Sequence, residues 1–292
     1  MTNNKLHEIH VKNFEAALPM IKPIVLKTMR MLNDPDCFLS DILDCIKHDP
    51  VLGARIISVV NSPFYSGLKR VSDLESAVVR IGLNELEKII LSCYVNKVFS
   101  SGKNSDMQLM KLVWEKSLAQ AFLAEKLAIT HIHLFPLGAE QRKAVYMSAL
   151  LNNIGYLFLA GIDMDCNLSK ILSRPHDSLQ ELADHEEEVF GASCFDIGST
   201  ILEMWNFPEF IVDTTRHLPQ PPAEYSGPNH DLLCLLSLSR YLAYNHLPPT
   251  QPAVRPEAWK ATFPSRLTRE IELDHITDGV ADKLEAFVSS LR

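Results

Sequence analysis

Two adjacent asparagines, Asn152 and Asn153, interrupt the most apolar stretch of the chain, Val145 to Ala160. The stretch is typical of a buried helix, so each amide would need hydrogen-bond partners inside the protein. Such amides could belong to a working site, to a site that has lost its chemistry, or to a structural network. The residue types alone leave these three interpretations open.

A second group with chemical potential is Asp213 and His217, which lie four residues apart on a predicted helix. This spacing places both side chains on one face, where they could share a metal ion, but no third ligand follows in the sequence. His131 and His133 fall in a predicted loop and are more simply a solvated turn. The acidic run 184–188 is most simply a solvent-facing helix surface.

The six cysteines lack a CxxC pair and have no regular spacing; they are Cys37, Cys45, Cys93, Cys166, Cys194 and Cys234. This distribution excludes a zinc ribbon or a disulfide framework and favours scattered thiols in a reducing compartment. No neighbouring base identifies any of them as a nucleophile. The sequence also lacks a phosphate-binding glycine loop and a Gly-x-Ser-x-Gly elbow.

Composition indicates an ordinary globular protein. Of the 292 residues, 47% are hydrophobic and 22% are charged, and the net charge is −8. There is therefore no global basic field to attract nucleic acid. Residues 1–11 have no apolar signal-peptide core, and no uninterrupted apolar run reaches the roughly 20 residues that a membrane helix needs. A cytoplasmic protein without membrane contact is expected.

The elements that would position these residues are predicted to be helices throughout. Apolar residues recur at helical spacing between capping and breaking residues, and period-2 alternation is almost absent. A polar linker at 100–106 divides the chain, so we expect an all-α protein of two packed helical lobes. Capping is predicted at Ser40, at Ser72 and at Ser178, and one unbroken helix is predicted from Ala139 to Gly161.

Taken in order, several short motifs of this chain resemble the HDOD domain, an HD-related output domain of bacterial signalling proteins. The motifs are Leu32-Asn-Asp-Pro35, His48-Asp-Pro50, Asn61-Ser-Pro-Phe-Tyr65, Ala77-Val-Val-Arg-Ile-Gly82, Trp114-Glu-Lys-Ser117, Ala149-Leu-Leu-Asn-Asn-Ile-Gly155, Phe190-Gly191 and Trp205-Asn-Phe-Pro208. The likeness implies an all-α fold whose second lobe is an HD-like helical core.

The resemblance also implies a domain organisation. It runs from about residue 17 to about residue 243, most of the chain. Residues 1–16 would be an N-terminal extension, and 17–247 would be the HDOD domain. The domain would comprise an N-terminal helical lobe (17–100) and the HD-like lobe (106–247). Residues 248–292 would form a proline-rich segment followed by a C-terminal helix, and the sequence leaves open whether this helix packs on the domain.

The catalytic relatives, the HD phosphohydrolases, bind a divalent metal ion through a His, an adjacent His-Asp pair and a later Asp. The resemblance places Lys116 at the first His, Asn152-Asn153 at the His-Asp pair and Arg240 at the later Asp. A further His of the family falls near Cys194. Ammonium and guanidinium groups have no lone pair to donate, and an amide is a weak neutral ligand. We therefore expect no metal ion and no other cofactor.

The roles of these substituted residues stay open. The asparagines could bond neighbouring backbone, Lys116 could extend to solvent, and Arg240 could pair with a local carboxylate. Alternatively, Lys116 and Arg240 could replace the lost metal cation and hold a buried carboxylate or an anion. In that case Lys116, Asn152, Asn153 and Arg240, with His217, would line a polar pocket.

The expected function is therefore a non-catalytic signalling domain that acts by protein interaction. Its partners, implied only by the resemblance, would be a sensor kinase, a response regulator or a cyclic-dinucleotide enzyme acting in trans, and a homo-oligomer is possible. One alternative is a metal-dependent phosphohydrolase of nucleotides or cyclic dinucleotides, with a rearranged site drawn from His185, Asp196, Asp213 and His217. Another is a sensor that binds an anion or nucleotide in the polar pocket.

Overall fold

The structure, a computed structural model, confirms the all-α prediction. It describes residues 23–32, 34, 36–65, 70–100, 107–163, 165–247, 262–264, 267 and 276–291. Within these ranges the regular elements are helices, and no strand occurs. The described residues separate into two compact units. One contains residues up to Phe99 together with those from Asp282 onward, and the other runs from Ser100 to Ala281. We call them the N-terminal unit and the central unit.

Five consecutive helices and most of the C-terminal helix build the N-terminal unit. They are α1 (Pro23–Leu32), α2 (Leu39–Lys47), α3 (Pro50–Val60), α4 (Leu74–Ile81), α5 (Leu83–Ser100) and α14 (Val280–Ser290). Apolar side chains from each helix are buried between them. The ring of Phe287 in α14 packs edge-to-face against Phe64 at a centroid distance of 5.2 Å. The C-terminal helix therefore packs on its own chain, within the N-terminal unit.

The central unit contains the remaining helices. They are α6 (Met107–Thr130), α7 (Ala139–Leu151), α8 (Gly155–Ile162), α9 (Asn167–Leu172), α10 (Leu179–Phe190), α11 (Cys194–Met204), α12 (Glu209–His217) and α13 (His230–Asn245). Helix α6 packs against α7 and α13, and α11 packs against α8 and α12. All residues from Leu232 to Ala243 in α13 are buried, so this helix runs through the middle of the unit.

Two of the three predicted helix caps were wrong by a residue or more. Helix α2 begins at Leu39, and its N-cap Phe38 makes no side-chain hydrogen bond, so Ser40 does not cap it. Asp73, not Ser72, caps α4, because its carboxylate accepts the Ser76 N–H at 2.8 Å. Ser178 does cap α10, accepting the Glu181 N–H at 3.0 Å.

The prediction of one unbroken helix from Ala139 to Gly161 was also wrong. The chain turns at residues 152–154, between α7 and α8. Backbone hydrogen bonds in this turn join residues three apart instead of four, as in a 3₁₀-helix. One of them runs from the Ile154 N–H to the Leu151 C=O at 2.9 Å. The break lets Gly155 approach the start of α11, where an added Cβ would overlap the Cys194 carbonyl oxygen.

The segment from Ala139 to Ile162 is, by length and composition, apolar enough to cross a membrane. However, 83% of its most apolar window is buried inside the protein. A mostly buried core helix of a folded protein has the same length and apolar composition.

Candidate functional site

Lys116 lies on α6 and points into the central unit, with 2% of its surface exposed. Its ammonium donates hydrogen bonds to the carbonyl oxygens of Ala243 at 2.7 Å and Leu247 at 2.6 Å. These carbonyls lie at the C-terminal end of α13, where helix carbonyls lack internal partners and the helix dipole favours a positive charge. Lys116 therefore caps a helix from the inside and does not extend to solvent.

The two asparagines, both fully buried, have different partners. The Asn153 amide nitrogen donates to the Ser117 hydroxyl at 2.7 Å, and its oxygen accepts from an Arg240 Nη atom at 2.5 Å. The Asn152 oxygen accepts a long 3.4 Å hydrogen bond from the Thr215 hydroxyl. The Asn152 amide nitrogen has no hydrogen-bond partner. Asn153 is thus part of a polar network, whereas half of the Asn152 amide is left unsatisfied.

Arg240 is the largest fully buried side chain among the described residues. Its guanidinium lies 4.8 Å from the ring centre of Tyr244 and 5.4 Å from that of Phe195, distances at which a cation is attracted to an aromatic face. Lys116 approaches the same Tyr244 ring at 5.7 Å. The structure therefore brings Lys116, Asn153 and Arg240 into one buried cluster, which together with Asn152 we call the degenerate site.

The sequence analysis missed Glu186, which lies in this part of the core. Its side chain is fully buried, and one carboxylate oxygen accepts the Cys194 N–H at 2.8 Å. Burial is the main reason that its pKa rises to about 7, while hydrogen bonds from Cys194 oppose the rise. A signal was present, because Glu186 continues the apolar spacing of Leu179, Leu182 and Ala183 along α10. The prediction that the run 184–188 faces solvent is therefore wrong at Glu186.

His217 does not join the degenerate site. Its Nδ1 lies 2.9 Å from a carboxylate oxygen of Asp213, the i, i+4 partner that the sequence suggested. Burial disfavours the charge of Asp213, but hydrogen bonds from Asn229 and Tyr225 outweigh it and hold the carboxyl pKa below its usual value. The Asp213–His217 pair is thus a separate, partly exposed network, so the predicted pocket of five residues is not assembled.

The other candidates are dispersed. His185 stacks near His176, with ring centroids 5.7 Å apart, and Asp196 accepts the Ser193 N–H and hydroxyl at the start of α11. His131 and His133 lie together in the loop between α6 and α7, as predicted. Across the described parts of the chain, no three His, Cys, Asp or Glu side chains converge in a way that could hold a metal ion.

The degenerate site does not fit the divalent metal of the HD phosphohydrolases. Two of its four side chains are cations, and both cationic groups already donate hydrogen bonds within the core. The remaining two are amides, of which the Asn153 oxygen is occupied by Arg240. A divalent ion here would lack carboxylate or imidazole ligands and would lie against fixed positive charge.

The environment of Lys116 leads to a pH prediction. Burial lowers the pKa of Lys116 to about 8, below the value of about 10.4 for an unfolded lysine. Between these values the unfolded chain binds more protons, so the stability that Lys116 contributes increases as pH rises from about 8 to 10.4. From pH 7 to pH 9.5 we expect wild type to gain about 2 kcal/mol relative to Lys116→Met.

Urea unfolding at both pH values measures this difference. The control is Lys111→Met, which removes a largely exposed ammonium from the same helix. That variant should follow the pH profile of wild type. An identical pH profile for Lys116→Met would show that the Lys116 ammonium titrates as it does in solvent.

The helical fold and its buried cluster of cations and amides define a class of protein, an all-α domain of the kind that the sequence resemblance implied. Residues 18–221 match the family model of the HDOD domain, and the chain belongs to this family. It is 28% identical over 223 residues to an uncharacterized protein of Treponema pallidum. That match covers 71% of this chain but only 39% of the Treponema protein.

Solved structures show the same fold at lower identity. A candidate phosphohydrolase from Shewanella amazonensis is 18% identical with a TM-score of 0.71, covering 98% of this chain and 100% of that one. An HDOD domain protein of unknown function from Geobacter sulfurreducens is 22% identical with a TM-score of 0.63, covering 94% and 92%. A candidate signal transduction protein from Marinobacter aquaeolei is 18% identical with a TM-score of 0.69, covering 99% and 65%.

Proposed function

We propose that this chain is a non-catalytic HDOD signalling domain that acts by binding other proteins. One observation carries the proposal: the positions that hold metal ligands in HD phosphohydrolases are filled by buried side chains already bonded to one another or to backbone. Lys116 is bonded to the end of α13, and Arg240 is bonded to Asn153. A nucleophilic water needs an open metal position, which these residues cannot provide.

The rearranged phosphohydrolase site has little support. Its four candidate residues belong to three separate local networks, and only Asp213 and His217 are in contact. Two ligands on one helix face are too few for a stable divalent site. A nucleotide-sensing role for the degenerate site is disfavoured by burial, since Lys116, Asn152, Asn153 and Arg240 are each at most 2% exposed.

The partners we propose are those of HDOD signalling, a sensor kinase, a response regulator or a cyclic-dinucleotide enzyme, acting in trans. The net charge of −8 favours a protein partner over nucleic acid. Because the chain spans about two fifths of the Treponema relative, the activity of that longer protein is not carried over to this chain.

Metal content tests the non-catalytic proposal. The full chain is incubated separately with manganese, iron, nickel and zinc salts, desalted, and analysed by mass spectrometry for bound metal and with a chromogenic phosphodiester for hydrolysis. We expect far less than one ion per chain and no hydrolysis above the buffer rate. A stoichiometric ion that is lost together with hydrolysis in Asp213→Asn would instead establish the rearranged enzyme.

A matched control variant distinguishes an ion bound at the candidate site from an ion bound adventitiously at the surface. Asp184→Asn removes an exposed carboxylate outside the candidate set. An ion retained in Asp213→Asn and lost in Asp184→Asn would be a surface ion, and the proposal would stand. An ion retained in both variants and accompanied by hydrolysis would place a metal centre elsewhere in the chain and overturn the proposal.

A further inference from the structure

The core of the central unit holds an unbalanced set of charges. Among the described residues, Glu186 is the only fully buried acidic side chain, while Lys116 and Arg240 are both buried cations. Lys116 is bonded to helix carbonyls, so its charge is stabilised locally. Arg240 has one hydrogen bond, to a neutral amide, and no carboxylate lies within 4 Å of it in the described residues. A buried guanidinium without a carboxylate in contact is costly unless another negative charge in the core stabilises it.

Glu186 is only half satisfied. One of its carboxylate oxygens accepts the Cys194 N–H at the start of α11, and the other has no hydrogen-bond partner. The hydroxyl of Tyr156, on α8, is buried and makes no hydrogen bond of normal geometry, yet it is close enough to the carboxylate to oppose the rise of the Glu186 pKa. A buried carboxylate oxygen without a hydrogen-bond partner is costly when the group is ionised, so this environment favours the protonated form.

The groups that act on Glu186 come from each neighbouring helix. Tyr156 lies on α8, Cys194 on α11, and Arg240 and Tyr244 on α13. Helix α9 also packs against α10, but its charged residue Lys170 bonds the Asp165 carbonyl at the surface. Among the described residues, Arg240 is therefore the one cation that acts on the Glu186 carboxylate, and the Tyr156, Cys194 and Tyr244 side chains are neutral at physiological pH.

We propose that the ionised Glu186 carboxylate is the counter-charge of Arg240 and that Glu186 takes up a proton within the folded protein, so that the stability of the central unit responds to pH. In the ionised form the carboxylate is attracted to the guanidinium. In the protonated form its O–H can donate to the Tyr156 oxygen. The two forms therefore interact differently with Tyr156 of α8 and Arg240 of α13.

The sign of the effect follows from the pKa values. Burial raises the pKa of Glu186 to about 7 in the folded protein, against about 4.3 in an unfolded chain. Between these values the folded state binds more protons, so the contribution of Glu186 is fully present below pH 4.3 and is lost as pH rises through 7. A glutamine at this position keeps the shape but has no proton to exchange.

The test compares the full-length wild type with Glu186→Gln by urea unfolding at pH 5 and pH 8. The ratio of their folding constants, wild type over variant, is expected to fall on the order of a hundredfold between the two pH values. The matched control is Glu187→Gln, which makes the same charge change at the next, exposed position of α10. Its ratio to wild type should change by less than about threefold.

Direct titration of the glutamate carboxyl groups tests the proposal even if Glu186→Gln does not fold. Wild type labelled at the glutamate carboxyl carbons is titrated by nuclear magnetic resonance, and Arg240→Met identifies the coupled resonance. We expect one carboxyl to titrate near pH 7 and to move to higher pH when Arg240 is replaced. If every glutamate carboxyl titrates below pH 5.5, or if the Arg240 variant leaves the midpoint unchanged, the proposal is wrong.

Discussion

Replacing Gly155 with alanine is expected to lower the free energy of unfolding of the central unit by about 3 kcal/mol or more, enough to leave much of the protein unfolded. The added Cβ would overlap the Cys194 carbonyl oxygen and lie 2.9 Å from the Gly198 nitrogen. Both contacts are with backbone at the start of α11, and a backbone cannot move aside as a flexible side chain can. Urea unfolding monitored by circular dichroism gives the measurement.

The control for this substitution lies six residues further along the same helix. An added Cβ at Gly161 would meet nothing within 4 Å, and Gly161 is exposed. Gly161→Ala should therefore be neutral or stabilise the protein by up to about 1 kcal/mol, because alanine is the better helix former. If the two alanine variants were equally stable, α8 and α11 would not cross as closely as the structure places them.

Replacing Arg240 with methionine is expected to destabilise the protein by about 2–4 kcal/mol at pH 8. Methionine fills much of the same volume, so the loss comes from charge and hydrogen bonding. The Asn153 oxygen loses its 2.5 Å donor, and Glu186 keeps a buried negative charge without its cation. At pH 5, where Glu186 is protonated, the loss should be smaller.

An exposed arginine supplies the control for this second variant. Arg216 makes only a 3.4 Å contact with Glu203 at the surface, and 40% of its side chain is exposed. Arg216→Met should change the free energy of unfolding by less than about 0.5 kcal/mol at either pH. Equal stability of Arg240→Met and wild type at pH 8 would mean that the buried guanidinium contributes no net stabilisation.

These predictions address different parts of the same core. The glycine variant tests the helix crossing that follows the turn at residues 152–154. The arginine variant tests the charge at the position to which the resemblance assigns a metal-binding aspartate of the HD phosphohydrolases. If the non-catalytic proposal fails, the packing prediction is unaffected, because the Gly155 contact depends on backbone positions alone.

Local sequence patterns predicted most of the fold. Apolar spacing predicted the helices, and the order of short motifs predicted the HDOD family, because both depend on residues close together in the chain. The two compact units divide between Phe99 and Ser100, and all of the linker predicted at 100–106 except Ser100 lies outside the described residues. The break after Leu151 was not predicted, since it depends on how closely Gly155 approaches α11, a segment some forty residues later.

The residue types of the degenerate site were readable from the sequence, but their roles were not. The chemistry of Lys116 and Arg240 alone predicts that they cannot ligate a metal ion. The sequence could not tell whether these cations face water or the core, because that depends on packing against helices distant in the chain. The tertiary structure decided it by placing Lys116 at the end of α13 and Arg240 against Asn153.

Glu186 shows most clearly the difference between what the sequence predicts and what the tertiary structure decides. Its spacing on α10 matched the apolar face, but a carboxylate within an acidic run is normally exposed, so the local pattern did not decide whether it is buried. Its buried position makes sense only beside the Cys194 N–H and the Arg240 charge, which come from two other helices. Burial free energies are set by such long-range neighbours, so the sequence determined the helices and the residue types of the degenerate site, and the tertiary structure determined the charge network.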